Sequence, residues 1–269
     1  MSHDDTYQYL DYEGDGPVRT VRIDNPPVNL LTSDLKAELF DVVERTEADP
    51  EAQCLLLRGQ ERGTFSGGRD LNESRSWIES AETEAEIEAA WNRGRDLIEE
   101  MMTSSTVIVA VVEGVAVGGG AELLLHCDVV FASADAEIGF PEIKRGLFPG
   151  TGAIELLPEL VGRRKALEIL LTGEVYSSSE LADLGVVTQV CEPSDTYAAA
   201  TAFAETVARR PAPAVAAIKR TLEAYRTESK ERARSRELAL FKQVFTSPEA
   251  SEGVRAFFED REPDFGAGE

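Results

Sequence analysis

The sequence predicts a mixed α/β body followed by an all-helical C-terminal part, and three observations predict it. Two short, continuously apolar runs, Cys54–Arg58 and Val107–Val112, have the length and the following glycine loops of strands buried on both faces of a sheet. Helix-like stretches precede and separate them. Beyond residue 195 every periodic segment is helical.

The elements follow in chain order. Val18–Ile23 alternates like a half-buried strand, and Asn25-Pro26-Pro27 ends it. Ser33–Ala48 is amphipathic and is expected to open on Ser33 as its capping residue. Between the two buried strands, 81–102 is rich in Ala, Glu and Arg and reads as a long, largely solvated helix. Short strands are expected at 129–131 and 186–190, then helices at 197–209, 213–225, 231–245 and Pro248–Phe258. The chain therefore divides into an α/β body over 1–195 and a helical region over 196–269. No fixed-period repeat or low-complexity linker interrupts it.

The 269 residues are enough for one sizeable core. Fifty Asp and Glu stand against 27 Lys and Arg, a net charge of −23, and only six of the basic residues are lysine. Nucleic-acid and anionic-membrane partners are disfavoured, because both require a basic footprint. The acidity is dispersed along the chain instead of forming a tail, which favours a surface adapted to high salt over an ordinary acidic one. The longest apolar run is too short to span a bilayer, and the acidic start of the chain has no apolar segment of a signal peptide. Cys54, Cys127 and Cys191 lie apart among apolar residues. That pattern suits reduced thiols in a cytoplasmic location and offers no metal spacing.

Two glycine loops leave the buried strands and enter helices. In the first, Gly63 to Glu73, Gly67 and Gly68 allow a sharp turn, and Asp70 is placed to cap the next helix with Glu73 completing a capping box. In the second, Gly114 to Glu122, the glycines at 118–120 open a helix whose free N–H groups favour developing negative charge. Taken singly, each loop reads as a turn. Neither has the order of a dinucleotide-binding loop, the turn at Gly150-Thr151-Gly152 lacks the third glycine, and no phosphate-binding P-loop occurs. Glu122 lies on the side of the second loop in the first helical turn, and Glu142 stands between Pro141 and Ile143 ahead of another glycine-rich turn. Two carboxyl groups among apolar and glycine residues suit an acid and base pair, although spacing alone leaves each an ordinary turn or helix-start residue.

The motifs together resemble the enoyl-CoA hydratase (crotonase) family. Thr64-Phe65-Ser66-Gly67-Gly68-Arg69-Asp70-Leu71 is similar to its first loop, and Val112 to Leu123, running on to Cys127-Asp128, to its second signature. Phe140-Pro141-Glu142-Ile143 with Gly146 and Pro149-Gly150 resembles the third, and Glu252 to Phe265 the usual ending. The resemblance implies a spiral of ββα units with C-terminal helices that assemble homotrimers, often paired into hexamers. It implies an acyl-CoA substrate, with coenzyme A part of that substrate and no separate cofactor or metal. Carried over by position, the backbone N–H groups of Arg69 and Gly119 form an oxyanion hole for the thioester oxygen. Gly67, Gly68, Asp70 and Gly118 belong to the substrate-binding loops. Glu122 is assigned to hold and deprotonate a water and Glu142 to deliver the α-proton, so that a 2-enoyl-CoA becomes a 3-hydroxyacyl-CoA.

Arg69 replaces a small residue of the family loop. Only its backbone is used, and its side chain is expected in solvent in preference to a CoA phosphate. The Asn25-to-Asn29 turn and Gly150-Thr151-Gly152-Ala153 are looser matches. Double-bond isomerisation needs one carboxylate, so retention of both favours hydration. A non-catalytic or RNA-binding homologue is disfavoured by the intact glutamates and by the charge. His126 reads as a satisfied helix histidine, Trp77 and Trp91 as packing residues in preference to lining the acyl pocket, and Lys219-Arg220 as a solvated helix face in preference to meeting CoA phosphates in the assembly.

Overall fold

The structure is a computed structural model and describes residues 7–59, 63–79 and 84–265. β1 (Leu10–Glu13) and β2 (Val18–Ile23) form an antiparallel hairpin. From β2 the sheet continues in parallel through β3 (Cys54–Arg58), β4 (Val107–Val112), β6 (Val129–Ser133) and β9 (Gln189–Cys191), in that spatial order. A smaller sheet pairs β5 (Val115–Val117) in parallel with β7 (Glu137–Gly139) and β7 antiparallel with β8 (Val175–Ser177).

Helices fill the crossovers. α1 (Ser33–Ala48) links β2 to β3, and α2 (Leu71–Glu79) with α3 (Glu84–Thr103) links β3 to β4. α4 (Gly119–Leu124) follows β5, while α5 (Ala153–Val161), α6 (Arg163–Thr172) and α7 (Ser178–Asp183) fall between β7 and β9. The chain ends in α8 (Thr196–Ala208), α9 (Ala212–Thr227), α10 (Lys230–Phe245) and α11 (Pro248–Phe258).

The two continuously apolar strands are explained by what covers each face. Leu55, Leu57, Ile108, Ala110 and Val112 pack on one side with Leu35 and Leu39 of α1 and Leu97 of α3. Cys54, Leu56, Val109 and Val111 pack on the other with Ala200 and Ala204 of α8. Successive side chains of a strand point to opposite faces, so a strand covered on both sides loses its alternation. Each large aliphatic side chain so buried contributes about 1.5–3 kcal/mol.

Local readings are corrected at several points. Thr32, not Ser33, caps α1, its hydroxyl accepting the N–H of Leu35 at 3.1 Å. Asp70 accepts the N–H of Asn72 as expected, at 2.8 Å, but Glu73 does not fold back to complete a box. Its carboxylate crosses to α1 and accepts the N–H and hydroxyl of Ser33, both at 3.1 Å, because the first glycine loop brings the two helix starts together. α3 is largely exposed, as expected, although Leu97, Ile98 and Met101 in its second half are buried. Lys219 leaves solvent to donate to the Thr106 carbonyl at 2.6 Å and to Asp128, pinning α9 to the end of β4. Val186 and Val187 are core residues preceding β9, which begins only at Gln189. Among the described residues no helix is long and apolar enough to cross a membrane.

Candidate active site

The first loop is stitched to β5 and to the segment before α1. The N–H of Phe65 donates to the carbonyl of Val115 at 2.8 Å, and Val117 N–H returns to Ser66 O at 3.0 Å. The hydroxyl of Ser66 donates to Asn29 O at 2.7 Å, and Leu31 N–H donates to Gly68 O at 2.8 Å. Gly68 has φ of +87°, and a Cβ on it would stand 2.7 Å from Val117 O, so only glycine lets the loops touch here. Beside that contact, a Cβ built on Gly119 would stand 3.6 Å from the backbone nitrogen of Arg69. The nitrogens of Arg69 and Gly119 thus adjoin where the two loops meet.

The meeting point forms one wall of a cavity of about 440 Å³. Gly67, Gly68, Arg69, Asp70, Gly118, Gly119, Glu122 and Glu142 all line it, so the structure brings every sequence-predicted site residue to one place. Leu147 and Phe148 lie toward its mouth, and Phe148 is largely exposed. A small apolar recess opens behind Gly119, bounded by Leu97, Leu123 and His126.

The two glutamates stand in unlike surroundings. Glu122, 4% exposed, projects from the first turn of α4 to the start of α5. There its carboxylate accepts the N–H of Thr151 at 2.8 Å, the hydroxyl of Thr151, and the N–H of Ala153 at 3.2 Å. Three donors and a helix N-terminus suit a carboxylate acting as acceptor. Glu142 lies in a 3₁₀ turn, Pro141–Arg145, that follows β7. Its Oε1 is 3.4 Å from where a Cβ on Gly118 would sit, and its buried Oε2 has no hydrogen-bond partner among the described residues. Burial pushes the Glu142 carboxyl up to about 7, with the charge of Glu122 acting in the same sense and Arg145 against it.

The Arg69 side chain does not extend into solvent. It is partly buried on the cavity wall, where desolvation lowers its pKa while Glu73 and Glu122 act to raise it. Trp91 also lines the cavity and donates its indole N–H to Gly150 O at 2.9 Å, a role beyond packing. The side chain of Trp77 lies outside the described residues. The sequence does not mark Thr151 as a site residue. Its only sequence signal was a hydroxyl residue between two glycines, with nothing to link it to position 122.

A model of the enoyl-CoA hydratase/isomerase family matches residues 13–268. A Bacillus subtilis protein named probable enoyl-CoA hydratase is 32% identical over 249 residues, covering 92% of this chain and 95% of that protein. A Mycobacterium bovis protein named probable enoyl-CoA hydratase is 30% identical over 261 residues, covering 97% and 98% respectively. The crystal structure of an enoyl-CoA hydratase from Mycobacterium smegmatis superposes with a TM-score of 0.89 at 27% identity, covering 96% of this chain and 99% of that one.

Proposed function

Because this chain belongs to the enoyl-CoA hydratase/isomerase family and has its crotonase fold, we propose that it is an enoyl-CoA hydratase. The single observation that carries this reading is that Glu122 and Glu142 line the same cavity in opposite hydrogen-bonding states. Hydration needs both: a base for the water and an acid for the α-carbon. Glu122, an acceptor held by three donors, takes a proton from water as the oxygen bonds to C3 of the enoyl thioester. Electrons move onto the thioester oxygen, which sits between the N–H groups of Arg69 and Gly119. Each such donor is worth about 3 kcal/mol to a developing oxyanion. Glu142, poised to hold a proton near neutral pH, delivers it to C2 and restores the thioester carbonyl. One water is added, and no electron or other group is exchanged with a further reactant.

The rest of the reading follows the surface. α9 to α11 expose Ile218, Leu222, Phe241, Phe245, Phe257 and Phe258, the last two about four-fifths accessible. Apolar faces of this extent mark association surfaces, and we assign them to a homotrimer or a pair of trimers built through 196–269. The free cysteines support a cytoplasmic location, and the dispersed negative charge supports a high-salt milieu. The test of function is direct. Purified protein is mixed with crotonyl-CoA in low-salt and molar-salt buffer, and loss of the conjugated thioester absorbance is followed. Hydration in either buffer supports the reading; none in both, with the oligomer intact, defeats it.

A further inference from the structure

Glu122 owes its aim to a residue far from it in sequence. A glutamate side chain has three rotatable bonds, and α4 fixes only where it begins. Both of its oxygens are met by one residue, Thr151: the backbone N–H reaches Oε1 and the hydroxyl reaches Oε2. Thr151 is itself held from behind. Its carbonyl lies 2.7 Å from Nε2 of His126. A carbonyl only accepts, so Nε2 carries the hydrogen. Nδ1, which carries no hydrogen in that tautomer, stands 3.3 Å from the Met102 sulfur, which has none to give either, so this approach is a packing contact and not a hydrogen bond.

His126 acts from outside the main cavity. It lies just beyond α4, and it borders the apolar recess but not the main cavity, so it is out of reach of the reacting atoms. Burial pulls its pKa down to about 4, leaving it neutral at working pH. The charges facing it, Glu155, Arg95 and Arg226, are joined in ion pairs through Glu155. The turn is also shaped around the ring: Gly152 has φ of +124°, and a Cβ there would come within 2.2 Å of Nε2.

We propose that His126 and Thr151 form a positioning relay for Glu122, in which the histidine fixes the 150–153 turn and the threonine clamps the carboxylate toward the water it deprotonates. The proposal rests on the hydratase reading, and it makes both residues positioning residues acting through Glu122.

The test uses the full-length protein and crotonyl-CoA. Thr151→Val keeps the backbone N–H and the shape but loses the hydroxyl. It lowers kcat by about 10–100-fold, the size of one hydrogen bond to a charged group, with KM little changed. Thr151→Ser recovers most of that loss. In a Glu122→Gln background the Thr151→Val penalty disappears, because the two residues act as a unit. His126→Leu lowers kcat in the same manner, and His126→Gln, which retains a donor, recovers part of it. A Thr151→Val penalty that is absent, confined to KM, or equal in both backgrounds overturns the relay. If the parent itself does not hydrate crotonyl-CoA, the functional reading fails first, and the relay is then read by NMR without turnover. The Glu122 carboxyl carbon resonance must move in both Thr151→Val and His126→Leu and return in His126→Gln; an unmoved resonance overturns the relay on its own.

Discussion

Glu122 and Glu142 meet at Gly118: its carbonyl accepts the backbone N–H of Glu122 at 2.9 Å, and Glu142 Oε1 lies 3.4 Å from where its side chain would begin. Gly118, a residue without a side chain, thus adjoins both the backbone of Glu122 and the carboxyl of Glu142. One of the two carboxyl groups is saturated by donors, and the other has a buried oxygen with no partner among the described residues. Unlike environments for like groups divide acid from base.

Replacing either carboxyl by its amide keeps the shape and removes the proton chemistry. Glu122→Gln and Glu142→Gln are each expected to lose about 10²–10⁴-fold in turnover, the usual contribution of a positioned acid or base. Binding of a CoA ester, measured by calorimetry, should persist in both. Near-parental hydration by either variant would refute the two-glutamate mechanism.

The rate of hydration should fall as pH rises through about 7, where Glu142 loses its proton. The sign for stability is the same. Glu142 has a higher pKa folded than unfolded, so the folded chain binds more protons, and this group's contribution declines with rising pH between its ordinary value of 4.5 and about 7. A pH–rate profile and denaturation midpoints for the parent and Glu142→Gln check both, and the variant should lack this stability component.

Gly119→Pro deletes one oxyanion donor at the first position of α4, where a helix tolerates proline. Turnover should drop by about 10²–10³-fold or more, with the melting temperature close to the parent's. Retained activity would reduce the second loop to a structural turn.

Salt should stabilise the assembly. With a net charge of −23 per chain, bringing copies together concentrates like charge, and the Debye length shrinks from about 10 Å at 0.1 M to about 3 Å at 1 M. Molar KCl is expected to raise the melting temperature and preserve the oligomer, while dilution into low salt weakens both. Equal stability and equal sedimentation at both extremes would make the acidity a solubility feature only.

The sequence by itself determined the parts that are written in local order. Cys54–Arg58 and Val107–Val112 declared buried strands because two-sided burial needs an unbroken apolar run. Pro248–Phe258 was bounded correctly by its proline and serine start. The loops and Glu122 and Glu142 were found because a glycine cluster beside a carboxylate survives as a linear motif. The tertiary structure alone decided what depends on chain segments distant in sequence. β5 is three residues long and is held as a strand by pairing with β7, a partner about twenty residues away, so it reads as part of the glycine loop. The carboxylate of Glu73 accepts from Ser33 of α1, forty residues away, a partner that only the fold brings to it. Arg69, expected in solvent, lies partly buried on the cavity wall, and Lys219, expected on a solvated helix face, donates to Asp128. The clamp of Thr151 on Glu122 spans 29 residues, and a hydrogen bond between a helix's first turn and a distant loop leaves no periodicity or spacing in either, so only folding could reveal it.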